Sequence, residues 1–373
     1  MAKVRKRTWS NAKGEQTAWI ADYFDQDGKR HIKTFKRERQ AKAWLVEAQH
    51  EVTQGVHTPA SASITVAEAA DLWLERCRLL VEQGKREHST YQQYASHRDH
   101  IVESLIGPVK LAKLTKPTVT LFCDELLDKG MSLPTARKVL TSLKTLIAAA
   151  QDRGYVAQNV AATVRFEKSD RRSKPVIPSK EEVRLIIEHA GKWRPLLITA
   201  ALTGLRSSEL RGLRWEDVDL DRTKVLHVRR RADCRRSLGD PKTRAGARTV
   251  PLAPPVLNIL REHKFASQKP LGFVFANGRG NVDFNNNILV WGFHPVQVRA
   301  GVVDNAGKPK FGLHSLRHFF ASWIIEQGFT AKKLQALLGH SSIQMTFDRY
   351  GHLFPNLEDD HNRFAAGALA IVG

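Results

Sequence analysis

Two interruptions in the residue pattern constrain the architecture of this 373-residue chain more than any other feature. Residues 55–63 (GVHTPASAS) combine glycine, proline and serine, and residues 166–178 (FEKSDRRSKPVIP) are charged and contain proline. Such segments are typical of linkers, and a chain of this length exceeds a single ordinary hydrophobic core. We therefore expect three domains, over residues 1–57, 64–166 and 175–373.

The first segment predicts a small β-hairpin followed by a helix. Residues 17–24 (TAWIADYF) favour a strand, Asp27 and Gly28 favour a tight turn, and residues 31–35 favour a return strand. From about Arg39 onward, apolar residues recur at helical spacing.

Helix-start signals organise the rest of the chain. Thr65 with Glu68, and Ser179 with Glu182, occupy the two positions of a capping box. We expect the middle segment to be all-α, with four or five helices, and the last segment to be mainly helical with a β segment near residues 224–252. The chain as a whole is therefore expected to be a multidomain α+β protein.

The net charge of the chain indicates which class of molecule it binds. It carries 59 Lys and Arg against 38 Asp and Glu, a formal charge of +21, and the surplus is concentrated in the C-terminal half. Because so large an excess repels itself unless a polyanion neutralises it, we expect nucleic acid as the partner, with an anionic membrane surface as a distant alternative. The basic N-terminus is followed by no apolar stretch, and no long apolar run occurs elsewhere. We therefore expect a cytoplasmic protein with reduced cysteines and no membrane span.

Two cationic side chains in the last segment are candidates for contact with an anion. Arg206, in ALTGLRSSELRGLRWEDVD, falls at a turn between two predicted helices, where a guanidinium can be aimed at a phosphate. A surface arginine beside a helix cap is an equally good interpretation. Lys242, in DPKTRAGARTVPL, sits near the turn of a predicted hairpin, where most lysines are simply solvated.

The most informative stretch is GLHSLRHFFAS. His314 and Arg317 are three residues apart, so a helix presents both on one side. His314 and His318 have the four-residue spacing of a zinc helix. Because the residues between them include no glutamate, and an arginine would repel the metal, we expect no metal site here.

A second histidine, His340, precedes Tyr350 in LGHSSIQMTFDRYGHL. A lone tyrosine usually serves packing, but this one belongs to a set of arginines, histidines and a lysine in a basic domain. Arginines hold phosphate oxygens, histidines move protons, a tyrosine oxygen can attack phosphorus, and a lysine can protonate a departing alkoxide. With no acidic metal cage and no phosphate-binding glycine loop, the set predicts phosphoryl transfer that uses side-chain cations and no cofactor.

This set, in this order, resembles the tyrosine recombinase family, also called phage integrases. Four separated motifs between about residues 200 and 353 agree with the family in residues, order and spacing. The first and middle segments are similar to the arm-type DNA-binding domain and the helical, SAM-like core-binding domain of the family. The family's six catalytic positions are matched, in order, by Arg206, Lys242, His314, Arg317, His340 and Tyr350.

The resemblance implies a role for each position. Tyr350 would attack the scissile phosphodiester and form a 3′-phosphotyrosine. The two arginines would hold the non-bridging oxygens, and the lysine would protonate the leaving 5′ oxygen. His314 would take or relay the tyrosine proton, and His340 would hydrogen-bond the phosphate. Glu209 would either support an arginine or serve its helix.

The resemblance also implies partners. The chain would be a metal- and ATP-independent site-specific recombinase that integrates or excises a mobile element such as a prophage, on the nucleoid of a bacterial host. It would bind double-stranded DNA at core and arm sites as a homotetramer, with accessory DNA-bending or directionality proteins. The basic hairpin residues Lys29, Arg30, Lys33 and Lys36 would either contact arm DNA in a major groove or form a solvated face. The apolar helical pattern of residues 356–373 would pack on a neighbouring protomer or on its own chain.

Two other function classes share part of this pattern. A type IB topoisomerase-like enzyme would use the same arginine, lysine and tyrosine roles, but the second histidine and the arm-type segment argue against it. A DNA-binding repressor or architectural protein would be equally basic, but binding alone does not require Tyr350.

Overall fold

The structure is a computed structural model in two compact units, residues 1–170 and 171–373. The boundary between the units falls inside the predicted second linker. The finer division of the first unit into two domains stays a prediction. The described residues are 2–11, 14–25, 28–55, 57–59, 63–167, 176–267 and 272–354, with Ala368, Ala370 and Ile371.

The first unit begins with an antiparallel sheet that one helix covers. Tyr23 and Ala21 of the central strand pack with Leu45 of the helix. The predicted hairpin is therefore confirmed, but it has a third strand, which the sequence did not indicate because its basic residues are exposed and show no apolar alternation. The elements are β1 (Lys3–Asn11), β2 (Gly14–Phe24), β3 (Arg30–Phe35) and α1 (Glu38–Thr53), in the sheet order β1-β2-β3.

Four helices and a 3₁₀ turn form the rest of the first unit, as predicted. The Thr65–Glu68 capping box is present at the start of the first of them. Their apolar faces share one core that includes Trp73, Phe122 and Leu143. The helices are α2 (Val66–Glu82), α3 (His88–Val102), α4 (Lys116–Asp128) and α5 (Leu133–Gln151), and the 3₁₀ turn is Leu111–Lys113.

Part of the predicted first linker is bonded to its surroundings. The His57 side chain is buried and hydrogen-bonds the Tyr23 hydroxyl over 2.7 Å. The Thr58 hydroxyl accepts a hydrogen bond from the Ala157 amide at 2.7 Å, and the Ser63 hydroxyl accepts one from the Ala112 amide at 2.9 Å.

The second unit is mainly helical with short strands, as predicted. Its first helix starts at the expected capping box of Ser179 and Glu182. A three-stranded sheet of order β4-β5-β8 and a two-stranded pair β6-β7 form the predicted β segment. The strands are β4 (Val218–Asp219), β5 (Val225–Val228), β6 (Arg231–Ala232), β7 (Leu238–Gly239) and β8 (Arg248–Pro251). The α-helices are α6 (Lys180–Glu188), α7 (Arg194–Thr203), α8 (Ser207–Gly212), α9 (Pro254–Ala266), α10 (Asn285–Asn287), α11 (His294–Arg299), α12 (His314–Glu326), α13 (Ala331–Leu338) and α14 (Ile343–Tyr350), and a π-helical turn covers Ile288–Phe293.

Helix α12 lies at the centre of this unit and positions the site. It packs against α7 on one side and α13 on the other. The predicted packing of residues 356–373 falls almost wholly outside the described residues, as does Asp27 of the predicted turn. Within the described residues, no helix is both long and apolar enough to cross a membrane.

Candidate active site

Arg206 is positioned by an abrupt helix end. Helix α7 stops at Gly204, whose backbone is left-handed with φ of 63°, and a Cβ at this position would come within 2.3 Å of the Phe320 ring. Only glycine fits both conditions. Arg206 then precedes α8, and its side chain is 34% exposed. It is the most accessible of the arginines in the site.

A buried carboxylate holds Arg206 in place. Glu209 accepts hydrogen bonds from the Arg206 amide at 2.8 Å and from its guanidinium at 2.7 Å. The same carboxylate is paired with Arg248, which is nearly as buried. Burial alone would raise the pKa of Glu209, but hydrogen bonds from Arg248 and the charge of Arg206 hold it below its ordinary value. Glu209 is therefore an anion that orients two arginines.

Arg248 connects three parts of the site. Besides Glu209, it donates hydrogen bonds to the carbonyl oxygens of Leu337 at 2.6 Å and Gly246 at 3.0 Å. It thereby ties β8 and the loop before it to the end of α13. Arg248 was not among the site residues predicted from the sequence, although it lies within the PKTRAGARTVPL motif.

Arg317 is buried against backbone carbonyls. Its guanidinium donates to Gly204 O and to Leu338 O, both at 2.7 Å, and only 2% of the residue is exposed. Among the residues the structure describes, no carboxylate forms an ion pair with it. Burial, and then the nearby charge of Arg206, lowers the pKa of Arg317 to about 9. A desolvated cation without a carboxylate partner favours the entry of an anion.

The two sequence-predicted histidines lie at helix ends beside these arginines. His314 begins α12, and burial followed by the charge of Arg317 lowers its pKa to about 4. His340 follows Gly339, the left-handed residue that ends α13, and its Nδ1 lies 2.9 Å from the buried Thr346 hydroxyl. The same two causes lower the pKa of His340 to about 3. Both imidazoles are therefore neutral at neutral pH.

Tyr350, the last residue of α14, is fully buried within this cluster. Its ring is nearly parallel to that of His340, with centroids 6.4 Å apart and an interplanar angle of 6°. Its hydroxyl lies 2.7 Å from Nδ1 of His318. Burial raises the pKa of the phenol, and the positive charges around it, that of Arg317 first, oppose this increase. The described partner of the hydroxyl is thus His318, which the sequence analysis had considered only as a metal ligand.

Among the described residues, the other five predicted positions interact with one another through charge or ring pairs, and Lys242 does not. It lies exposed in the loop between β7 and β8, and no hydrogen bond or ion pair to it occurs among the described residues. The foot of its loop is fixed, because Gly246 O receives the hydrogen bond from Arg248. The described residues also contain no group of three or more side chains that could hold a metal ion.

The site therefore contains two arginines that can hold an anion, neutral histidines and a buried tyrosine, contributed by the turn before α8, by α12 and α14, and by the turn after α13. Residues 179–356, which carry this whole arrangement, match the model of the phage integrase family. This segment, residues 179–356, is a phage integrase family domain. The recognition from sequence is confirmed, and the region matched spans all six predicted catalytic positions.

Similarity extends beyond the catalytic unit. A tyrosine recombinase XerC-like protein of Caldanaerobacter subterraneus is 26% identical over an alignment of 368 positions, and the match covers 89% of this chain and 90% of the relative.

Two solved structures share the fold. The Tn1549 transposon integrase, in complex with transposon right end DNA, matches with a TM-score of 0.67 and 19% identity over 82% of this chain and all of that chain. A lambda integrase tetramer bound to a Holliday junction matches with a TM-score of 0.58 and 20% identity over 90% of this chain and 95% of that one. The expected multidomain recombinase fold is confirmed.

Proposed function

We propose that this protein is a site-specific DNA recombinase that cleaves and rejoins DNA strands through a 3′-phosphotyrosine, and so integrates or excises a mobile element such as a prophage. The observation that carries the proposal is the environment of Arg317. Its guanidinium is buried, bonded only to carbonyl oxygens among the described residues, and close to the hydroxyl-bearing Tyr350. A phosphodiester supplies both the anion and the electrophile that such a pair requires.

The chemistry follows from the side chains. Tyr350 attacks phosphorus, while Arg206 and Arg317 hold the non-bridging oxygens, on which negative charge grows in the transition state. His340 donates a hydrogen bond to the phosphate, and Lys242 protonates the leaving 5′ oxygen once DNA orders its loop against the site. Since the bond energy is kept in the phosphotyrosine ester, rejoining requires neither ATP nor a metal ion.

The proposed role of His314 differs from the one that the family resemblance implies. The family resemblance gives it the proton of Tyr350, but the hydroxyl contacts His318 instead. Burial, and then the charges of Arg317, Arg349 and Arg206, lower the pKa of His314. We assign His314 to the phosphate side of the site, where a neutral imidazole donates a hydrogen bond.

Arm DNA is proposed to bind the open face of the N-terminal sheet. Residues paired across antiparallel strands share a face, and the register pairs Lys3 with Asp22 and Arg5 with Ile20. This places alternate basic residues of β1, Lys3, Arg5 and Arg7, on the face opposite α1. Lys33 lies on the other face, 4.2 Å above the Trp44 ring of α1. Of the basic hairpin residues singled out in the sequence, Arg30 therefore lies on the proposed DNA face, where it pairs with Asp22, and Lys33 lies on the face toward α1.

The assembly is proposed by analogy with relatives. Lambda integrase forms a tetramer on a Holliday junction, and strand exchange between two duplexes requires four cleavages. We assign the same homotetramer to this chain, acting on core and arm sites in the cytoplasm of a bacterial host, with DNA-bending or directionality proteins as accessory partners.

Covalent capture tests the function. The full chain is incubated with duplexes that carry a randomised core and a nick. The nick lets the short fragment with the freed 5′-hydroxyl diffuse away, so the protein stays attached to the other fragment. Denatured protein–DNA adducts are then recovered and sequenced. The wild-type chain should enrich one core sequence, and Tyr350→Phe should lose the adduct yet still shift that sequence in a native gel. An adduct formed by Tyr350→Phe would show that another residue is the nucleophile.

A further inference from the structure

The contact between His318 and Tyr350 gives a role to a residue that the family resemblance leaves unassigned. The Tyr350 hydroxyl is 2.7 Å from Nδ1 of His318, within ordinary hydrogen-bond range. His318 lies on α12, one position after Arg317 and four after His314, and it is buried. It is therefore the imidazole nearest to the proposed nucleophilic oxygen among the contacts of the described residues.

The surroundings of His318 set its protonation state. The His314 ring approaches it from the same helix, edge to face, at a centroid distance of 4.9 Å. Arg317 on the same helix and Arg349 on α14 are the positive charges that act on it. Burial, then His314 and these two arginines, lowers the pKa of His318 to about 4. At neutral pH the ring is neutral, so one of its nitrogens carries a lone pair.

We infer that His318 is the general base of strand cleavage and that its Nδ1 takes the phenolic proton as Tyr350 attacks the DNA phosphodiester. This inference rests on the proposed recombinase function. For Nδ1 to accept, the resting proton of the ring sits on Nε2. The role is catalytic, because the ring touches the reacting oxygen.

Cleavage in this scheme moves one proton onto His318 and takes one from Lys242. The O–H bond of Tyr350 breaks and an N–H bond forms at Nδ1, which leaves His318 as an imidazolium. The freed electron pair forms the P–O bond, and the P–O5′ bond breaks. The leaving oxygen takes a proton from the Lys242 ammonium, so one positive charge moves from the lysine to the histidine. Rejoining runs the same transfers in reverse.

The negative charge of the substrate favours proton transfer to His318. In the DNA-free site, Arg317 and Arg349 oppose a positive charge on His318. A bound phosphodiester brings a negative charge to Arg206 and Arg317, which offsets that opposition and raises the basicity of the imidazole. His318 thus becomes a stronger base when substrate occupies the site.

If the contact were purely structural, removal of the His318 imidazole would change the cleavage rate in the opposite direction. If the hydrogen bond only held Tyr350 in its buried position, removal of the imidazole would free the tyrosine, and cleavage would stay equal or become faster. If His318 accepts the proton, removal slows cleavage by about 100-fold to 10,000-fold, the usual contribution of general base catalysis.

The test uses the full chain and the core duplex recovered by covalent capture. Single-turnover adduct formation is measured for the wild type, His318→Gln and His318→Ala, and for His189→Gln, an exposed histidine of the same unit, as the matched control. Gel shift and thermal melting establish that each variant is folded and bound. We expect large losses for both His318 variants and none for the control.

Chemical rescue separates proton transfer from packing. The His318→Ala cavity should accept imidazole, and a series of substituted imidazoles should restore cleavage at rates that increase with the pKa of the added base. Rescue independent of base pKa, or His318→Gln cleavage equal to or faster than wild type, would overturn the inference. If His318→Ala fails to fold, the cleavage rate of His318→Gln relative to wild type tests the inference. If the wild type forms no adduct at all, the recombinase proposal itself fails, which is a distinct result.

Discussion

Glu209 and Arg248 form a buried, two-point ion pair beneath the exposed end of the site. The two guanidinium nitrogens of Arg248 lie 3.1 and 2.9 Å from the two oxygens of Glu209, and both side chains are at most 5% exposed. The same carboxylate holds Arg206. One buried anion therefore sets the positions of two cations, only one of which is open to DNA.

This pair predicts a selective loss of stability. Arg248→Met leaves Glu209 buried with only Arg206 beside it, so the free energy of unfolding should fall by about 3 kcal/mol. The double variant with Glu209→Gln should recover part of that loss, because no buried charge remains unpaired. Urea denaturation measures both. The same arginine-to-methionine change at Arg184, which pairs with exposed glutamates, should cost under about 1 kcal/mol. Equal losses at the two positions would contradict this account.

The buried histidines predict acid sensitivity. His314 and His318 have folded pKa values of about 4 and His340 of about 3, against an ordinary value of 6.5. Between these values the unfolded chain binds protons that the folded chain does not, so stability falls as pH falls from 6.5 toward 4. Each histidine contributes up to about 1.4 kcal/mol per pH unit.

Urea titrations at a series of pH values check this dependence. His340→Gln should have a shallower slope of stability against pH than the wild type, because one of the buried groups no longer titrates. His189→Gln should keep the wild-type slope. A stability that is flat over this range would be inconsistent with buried neutral histidines.

The role of Lys242 predicts a leaving-group effect. Lys242→Ala should slow cleavage of ordinary DNA by about 100-fold or more, because the 5′ oxygen then departs without a proton. A substrate with sulfur in place of that bridging oxygen needs no proton, so it should restore the rate of this variant. Arg206→Ala should not be restored by the same substrate. Cleavage rates on the two substrates provide the comparison, and an unrestored Lys242→Ala would remove the lysine from the acid role.

The open face of the N-terminal sheet predicts a change in salt dependence. Arg5→Ala combined with Arg7→Ala removes two proposed phosphate contacts, so the slope of log K against log salt should become shallower by about 2. Fluorescence anisotropy on a duplex long enough for both units measures the slope. Lys42→Ala, on the covering helix and paired with Glu38, should leave it unchanged. A slope unaffected by the strand variant would place arm DNA elsewhere.

The parts of the structure that the sequence predicted are those with local signals. Capping boxes at Thr65 and Ser179 mark helix starts because the two bonded residues are only three positions apart. The six family positions were recognised because each motif is contiguous. The edge strand β1 was missed since an exposed basic strand lacks the apolar alternation that identifies a buried one.

The relationships that escaped sequence reasoning depend on tertiary contacts. The Glu209–Arg248 pair joins residues 39 positions apart, and His318 meets Tyr350 across 32 positions. Neither spacing has a local signature. The position of Lys242 could be assigned to a hairpin loop, where the structure leaves it exposed, but no local signal in the sequence gives its distance from the other predicted site residues.

Arg317 holds the closing carbonyls of two helix ends, Gly204 O and Leu338 O, in addition to its proposed contact with the phosphate. The proposed catalytic role and the packing of two helix ends therefore depend on the same guanidinium, whereas the Tyr350 hydroxyl bonds His318 and closes no helix end among the described residues. As mobile elements decay, copies that lose Arg317 should misfold and be degraded. Copies that lose only the tyrosine hydroxyl should persist as intact DNA occupants, and these would block the sites used by active relatives in the same cell.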